Sequence, residues 1–301
     1  MSLISEIAWG GWPHCAELNN GKLKLIATTD VGPRIIYCGA ADSGHNLFYI
    51  KDDQQGLTGS QEYRHYGGHR LWHSPQIGYR PNQPDNTAVS FSINNNSLLL
   101  ECPAEEATKV QKEIEITIDP CRPKAVIRHR IYNRGLWPIK LAPWALTMMA
   151  AGGTKILPVP KDDTLFMPSY AISFWPWTRP NDHRFILGQN YITLKHDSAD
   201  EHWFKIGYRN TGGWGAYIVS GFMFIKRSLP VPGEYPDYGS TFETFADNNF
   251  IELETLGPLT SLEPGAFVDH SEEWFVFDKI SLPLTESQIE DLMMSVFDKL
   301  T

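Results

Sequence analysis

The sequence predicts an all-β protein, a large antiparallel β-sandwich with one helix at its C-terminus. Three observations lead there. Short, partly alternating apolar runs recur along the whole 301-residue chain. The 24 glycines and 21 prolines are spread between those runs instead of collecting in a linker. Helical spacing is legible only near the end. No domain boundary, repeat or low-complexity tract interrupts the pattern. Residues 1–301 therefore read as a single domain, a length that one large all-β unit can reach.

Taken in order, Lys22–Thr28, Thr87–Ile93, Ser97–Cys102 and Gln111–Ile118 are strand-like, with turn chemistry such as Asn94-Asn95-Asn96 between them. Lys124–Tyr132 alternates cleanly. Ala125, Ile127, His129 and Ile131 fall on one face, and Val126, Arg128, Arg130 and Tyr132 on the other. Tyr191–Lys195, Trp214–Val219, Phe222–Arg227, Phe250–Leu256 and Glu273–Phe277 complete the series. The helix opens on a Thr285/Gln288 capping box with a Leu284/Ile289 staple. Ile289, Leu292, Met293, Val296 and Leu300 then follow at helical spacing, which predicts a helix docked on a sheet.

Composition narrows the function. Lys plus Arg is 26 against 35 Asp plus Glu, a formal charge of −9, which argues against nucleic acid or an anionic membrane as partner. No apolar run approaches the roughly 18 residues of a membrane span. The opening MSLISEIAWGGWPH lacks the basic and apolar regions of a secretory signal, so a cytoplasmic location is expected. Cys15, Cys38, Cys102 and Cys121 are scattered, which predicts buried free thiols and no metal site built on them.

Polar and aromatic residues gather in three stretches. Tyr63–Tyr79 carries His65, His69, His73, Arg64, Arg70 and Trp72 around Gly67-Gly68, whose freedom suits a tight turn or a close approach to ligand. The three histidines stand four apart, yet the glycine pair argues against the helix that would stack them, so no metal is expected here. Ser173–Arg184 sets Trp175 and Trp177 beside Arg179, Asp182 and Arg184. Flat rings next to hydrogen-bonding forks suit a hydroxyl-rich ligand, and core packing of the tryptophans is the competing reading. In Phe250–Leu256, Ile251 and Leu253 share one face and Glu252 and Glu254 the other, roughly 7 Å apart. On an exposed sheet face the two carboxylates would serve solubility alone. On a concave face one could be a general base. Two side chains pointing the same way from one strand do not flank a glycosidic bond, which disfavours a glycoside hydrolase.

Together these stretches resemble the galactose mutarotase-like superfamily of aldose 1-epimerase-type proteins. LETLGPLTSLEPGAFVDHSEEWFVF (Leu253–Phe277) is similar to the family's C-terminal signature, an L-E-T strand, a proline-bearing loop, a P-G turn and a last strand ending in an aromatic. YGGHRLWHSP (Tyr66–Pro75) resembles the Gly-Gly loop lining the sugar site of aldose and hexose-phosphate epimerases, and IATTDVGPRII (Ile26–Ile36) the N-terminal strand and G-x-R-I turn. The likeness implies a β-supersandwich, in an uncharacterised branch of the superfamily, that binds carbohydrate on a concave face.

The resemblance carries the family's general base onto Glu254. In the family that base takes the anomeric hydroxyl proton while a histidine protonates the ring oxygen, with no cofactor. The acid histidine belongs to a central strand whose counterpart here, Asn133–Met149, contains none; Trp144 adjoins its place. The expectation is therefore Glu254 as base with His69 or His73 as acid. Arg70, Trp72, Trp177, Asp182, Arg184 and Glu252 would bind the sugar or sugar phosphate. The alternative is a sugar-binding or sensing module that keeps the fold without the reaction.

Overall fold

A computed structural model describes residues 3–78, 80, 82–161 and 166–298. Tyr79 and Leu300, at the ends of two of the patterns above, lie outside them. In chain order the strands are β1 (Ile4–Trp9), β2 (Trp12–Asn19), β3 (Leu23–Thr28), β4 (Arg34–Ala40), β5 (His69–Ser74), β6 (Ser90–Asn94), β7 (Ser97–Glu101), β8 (Val110–Ile118), β9 (Lys124–Asn133), β10 (Ile139–Met149) and β11 (Thr154–Pro158). They continue as β12 (Ile172–Phe174), β13 (Phe185–Leu187), β14 (Tyr191–Lys195), β15 (Phe204–Tyr208), β16 (Trp214–Val219), β17 (Phe222–Arg227), β18 (Phe242–Ala246), β19 (Ile251–Leu256), β20 (Thr260–Leu262) and β21 (Phe267–Phe277).

These strands form two antiparallel sheets. The first has eleven strands in the order β1-β2-β3-β4-β5-β10-β19-β18-β15-β12, with β20 pairing on β10. The second has ten, β13-β14-β11-β16-β17-β21-β9-β8-β7-β6. Alternation explains the layering. Leu71, Ala145, Phe242, Ile251 and Leu253 from the first sheet meet Ile116, Ile127, Leu157, Phe224 and Trp274 from the second in one continuous core. No described helix is long and apolar enough to cross a membrane. All four cysteines are free, but only Cys15 and Cys38 are buried; Cys102 is half-buried and Cys121, between β8 and β9, is exposed.

The second sheet is also covered on its far side. Ile289, Met293 and Val296 of the C-terminal helix, Glu286–Phe297, pack on Ile156, Trp214, Ile225 and Phe275. Thr285 caps it, its hydroxyl accepting from the Gln288 amide at 3.3 Å. The staple does not form: Leu284 is 84% exposed. Instead the Gln288 side chain accepts from the Leu284 backbone amide at 2.8 Å, which turns the chain away before Leu284 can fold back.

Two lysines tie the sheets together. Lys155 on β11 and Lys226 on β17 are fully buried and reach across the core. Lys155 Nζ donates to the backbone carbonyls of Glu243 (3.1 Å) and Glu252 (3.0 Å). Lys226 Nζ donates to those of Ala145 (3.2 Å) and Leu253 (3.1 Å) and is paired with Glu272 at 2.8 Å. Between them they grip β10, β18 and β19 from beneath.

Candidate functional site

The outer face of the first sheet, turned away from the second, gathers charges at its centre. β19 presents Glu252 and Glu254 there because Ile251 and Leu253 are committed to the core. By the same alternation β18 presents Glu243 between core residues Phe242 and Ala246, and β15 presents Lys205 between Phe204 and Ile206. β5 supplies Arg70 and Trp72, and β10 supplies Trp144. All seven are buried.

Lys205 Nζ is 2.8 Å from both Glu243 Oε2 and Glu254 Oε2. It also lies over the rings of Trp144 and Trp175, 4.5 and 4.8 Å from their centroids. Trp144 Nε1 donates to Glu254 Oε2 at 2.7 Å. Arg70 stacks on Trp72 with its guanidinium carbon 4.0 Å from the ring centroid, donates to the Tyr63 hydroxyl, and comes within 3.9 Å of Glu252 Oε1. An aromatic border surrounds these charges. Tyr63, Trp72 and Trp144 form one side, and Trp177, Trp203, Phe245 and Phe250 follow one another at centroid distances of 5.9 to 6.0 Å on another.

Burial tunes the acids. It raises Glu252 to about 7, helped by the Glu254 charge and opposed by Arg70 and Lys205. Glu243 is pushed well above the usual carboxylate range by the same loss of water, against the pull of Lys205. Lys205 is held up: burial alone would lower it, but Glu243 and Glu254 outweigh that. Glu254 Oε1, Glu243 Oε1 and Arg70 Nε are buried on this face with no hydrogen-bond partner among the described residues, and Glu243 Oε2 meets only the Lys205 ammonium.

The histidines lie elsewhere, which corrects the expected acid. His69 and His73 alternate with Arg70 and Trp72 on β5, so they face the second sheet, across the layer from Glu254. His69 is fully buried, with Nδ1 against Thr147 Oγ1 (2.8 Å) and Nε2 against His129 Nε2 (2.7 Å). Burial and the nearby Lys226 hold it well below the ordinary histidine value. Burial likewise lowers His73 to about 3, with Lys112 and Arg80 adding to the effect. Neither can deliver a proton to the outer face. His69, His129 and Glu272 come close enough to suggest a metal cage, but both Glu272 oxygens are taken. Lys226 and Thr255 engage Oε1, and Trp274 Nε1 donates to Oε2 at 2.8 Å.

Asp182 and Arg184 are also displaced from the expected site. They precede β13 at the edge of the second sheet, where Arg184 Nε and Nη2 donate to Asp182 at 2.9 and 2.7 Å. Their separation in sequence by one residue makes them each other's partner. Trp177 stands at the aromatic border, 45% exposed, while Trp175 is the ring that reaches Lys205. Gly67 and Gly68 approach backbone instead of ligand: a Cβ on either would lie 2.1 Å from the Tyr49 carbonyl oxygen or 2.2 Å from that of Ile35. Lys205 and Glu243 escaped the sequence reading, although each stands alone as a charge between core positions, in FKIGY and FETFA.

The architecture has clear counterparts among solved structures. A galactose mutarotase-like protein from Lactobacillus casei ATCC 334 matches with a TM-score of 0.59 at 10% identity, over 87% of this chain and 100% of that one. A candidate aldose 1-epimerase from Escherichia coli K12 matches at 0.57 and 12%, over 87% and 98%. A TPR-domain containing protein from Parabacteroides distasonis ATCC 8503 matches at 0.57 and 14%, over 91% of this chain but 49% of that one, so the chain spans about half its length. No family model matches the sequence, and no curated protein matches it. At these identities the likeness establishes the fold, a galactose mutarotase-like β-sandwich.

Proposed function

We propose that this chain, built on the galactose mutarotase-like fold, binds a neutral carbohydrate on the outer face of its first sheet and interconverts the sugar's anomers. The observation that carries this is the trio of unmet atoms, Glu254 Oε1, Glu243 Oε1 and Arg70 Nε, inside an aromatic border. Buried acceptors and donors without partners are costly, and sugar hydroxyls satisfy both kinds at once while the ring's apolar faces stack on aromatics. A phosphate fits less well. Arg70 and Lys205 are already engaged by Tyr63 and by three carboxylates, and Arg184 belongs to Asp182.

The reaction needs an acid and a base that reach two neighbouring oxygens, because the anomeric hydroxyl and the ring oxygen are both bonded to C1. Two carboxyls from one strand suit that demand, though they could not flank a glycosidic bond. Glu254, with Oε2 fixed by Lys205 and Trp144, takes the hydroxyl proton on Oε1. Glu252, protonated up to about pH 7, gives its proton to the ring oxygen. The C1–O5 bond opens to a carbonyl, C1–C2 rotates, and closure returns both protons. Each carboxyl ends as it began.

A non-catalytic sugar-binding module is the second reading, favoured by the ion pair that already occupies Glu254 Oε2. Anomer exchange by NMR over a sugar panel separates the two. The enzyme accelerates exchange for at least one sugar, and Glu254→Gln loses on the order of a hundredfold or more. Exchange that persists unchanged in Glu254→Gln removes it as the base. Binding without any exchange above background leaves the module.

A further inference from the structure

Beside the outer-face site lies a cavity of about 200 Å³ whose lining includes Trp72, Asp85, Asn86, Cys102, Glu105 and Lys112. It is joined to the charged centre in two ways. Trp72 forms part of its wall and also carries the Arg70 guanidinium. Arg34, directly opposite Arg70 across β4 and β5, reaches Asp85 in the lining at 2.6 Å.

The lining is chemically biased. Its inner charges are compensated, Asp85 by Arg34 and Lys112 by Glu105, so neither pair calls for a charged ligand, and Glu106 stands exposed to solvent. Ser60, Gln61 and Thr87 add hydroxyl and amide groups. Asn86 is the decisive residue. Its Nδ2 donates to the carbonyls of Ser60 (3.1 Å) and Glu62 (2.7 Å), which fixes the direction of the amide. Its Oδ1 is then a buried acceptor with no partner among the described residues, in a side chain 1% exposed. A buried acceptor held in one direction awaits a donor. A tryptophan, amides, hydroxyls and an unfilled acceptor in a space of one ring's size describe a sugar subsite.

We propose that this cavity is a second saccharide subsite, continuous with the outer-face site past Trp72, and that the ligand is a disaccharide or longer. The reading rests on the carbohydrate site proposed above and extends it. One ring lies against Arg70, Glu252 and Glu254. The next passes Trp72 and gives a hydroxyl proton to Asn86 Oδ1.

Calorimetry of the full chain with glucose, galactose, maltose, cellobiose and lactose tests this, alongside Ala104→Trp and Thr87→Trp. Both positions line the cavity and are exposed, so a larger side chain there fills the space from the rim. At least one disaccharide should bind roughly tenfold tighter than its component monosaccharide, about 1.4 kcal/mol. Either variant should remove that gain while leaving monosaccharide affinity and the melting temperature unchanged. Monosaccharide binding with no disaccharide advantage, or an advantage that survives both variants, overturns the second subsite and leaves the first standing. No binding of any of the five sugars overturns both.

Discussion

At Glu252, burial and the Glu254 charge keep the proton on, while Arg70 and Lys205 pull it off; the outcome is a carboxyl that titrates at about 7. Its folded value is raised above the ordinary one, so the sign of the stability effect follows. The protonated group stabilises the fold fully below about pH 4.5, and that contribution is lost as pH rises to about 7 and beyond. Glu252→Gln, neutral at every pH, should therefore flatten the fall in stability between pH 4.5 and 7. It should be more stable than the parent at pH 8, by on the order of 3 kcal/mol. Denaturant melts across that range read it, and parallel pH profiles for both proteins would remove Glu252 as the titrating group. In the reaction proposed above, the same group would set the pH dependence. Exchange should decline above about pH 7 as the acid is lost, and Glu252→Gln should lack exchange while retaining sugar binding.

Among the elements, β5 and β10 show why part of the fold was hidden in the sequence. Both are buried on both faces, so neither alternates. β5 reads as a polar loop, HRLWHS, and β10 as an apolar run broken only by Thr147, APWALTMM. Strands whose burial alternates, such as β7 and β9, were legible to within a residue. The site shared this fate. Glu252 and Glu254 could be placed on one face from parity alone, whereas facing β5 toward Glu254 or away from it required knowing its register with β10. His69 faces inward because the second sheet supplies its partner, His129, beside the Lys226–Glu272 pair. Lys226→Met should leave Glu272 buried and unpaired and cost about 3–5 kcal/mol, and adding Glu272→Leu should recover part of it. Equal stability of the single and double variants in a denaturant series would contradict the pairing. At the helix start, Thr285→Ala should cost about 1 kcal/mol, while Leu284→Ala should be close to neutral because the staple is absent.

For the molecule as a whole, the two sheets share one core, in which residues from β3 to β21 are in continuous contact. Neither sheet can shed its partner without exposing that core. We therefore expect a single cooperative unfolding transition, with calorimetric and van't Hoff enthalpies that agree. Two resolved transitions would divide the chain into more than one domain. The C-terminal helix belongs to the same unit, since it covers the apolar outer side of the second sheet, and Met293→Asp should lower the melting temperature.

The grip of Lys155 and Lys226 on backbone carbonyls has a consequence for how this protein tolerates change. A carbonyl remains whatever side chain its residue carries, so substitutions at Glu243, Glu252 or Leu253 leave the anchoring intact. The lysines enjoy no such freedom. A saturation screen scored on the proposed sugar binding would thus mark two interior positions on the opposite sheet as intolerant, although neither lies on the outer face. The recognition surface would accept new side chains on an unmoved scaffold. Specificity could drift there, and the foundation could not.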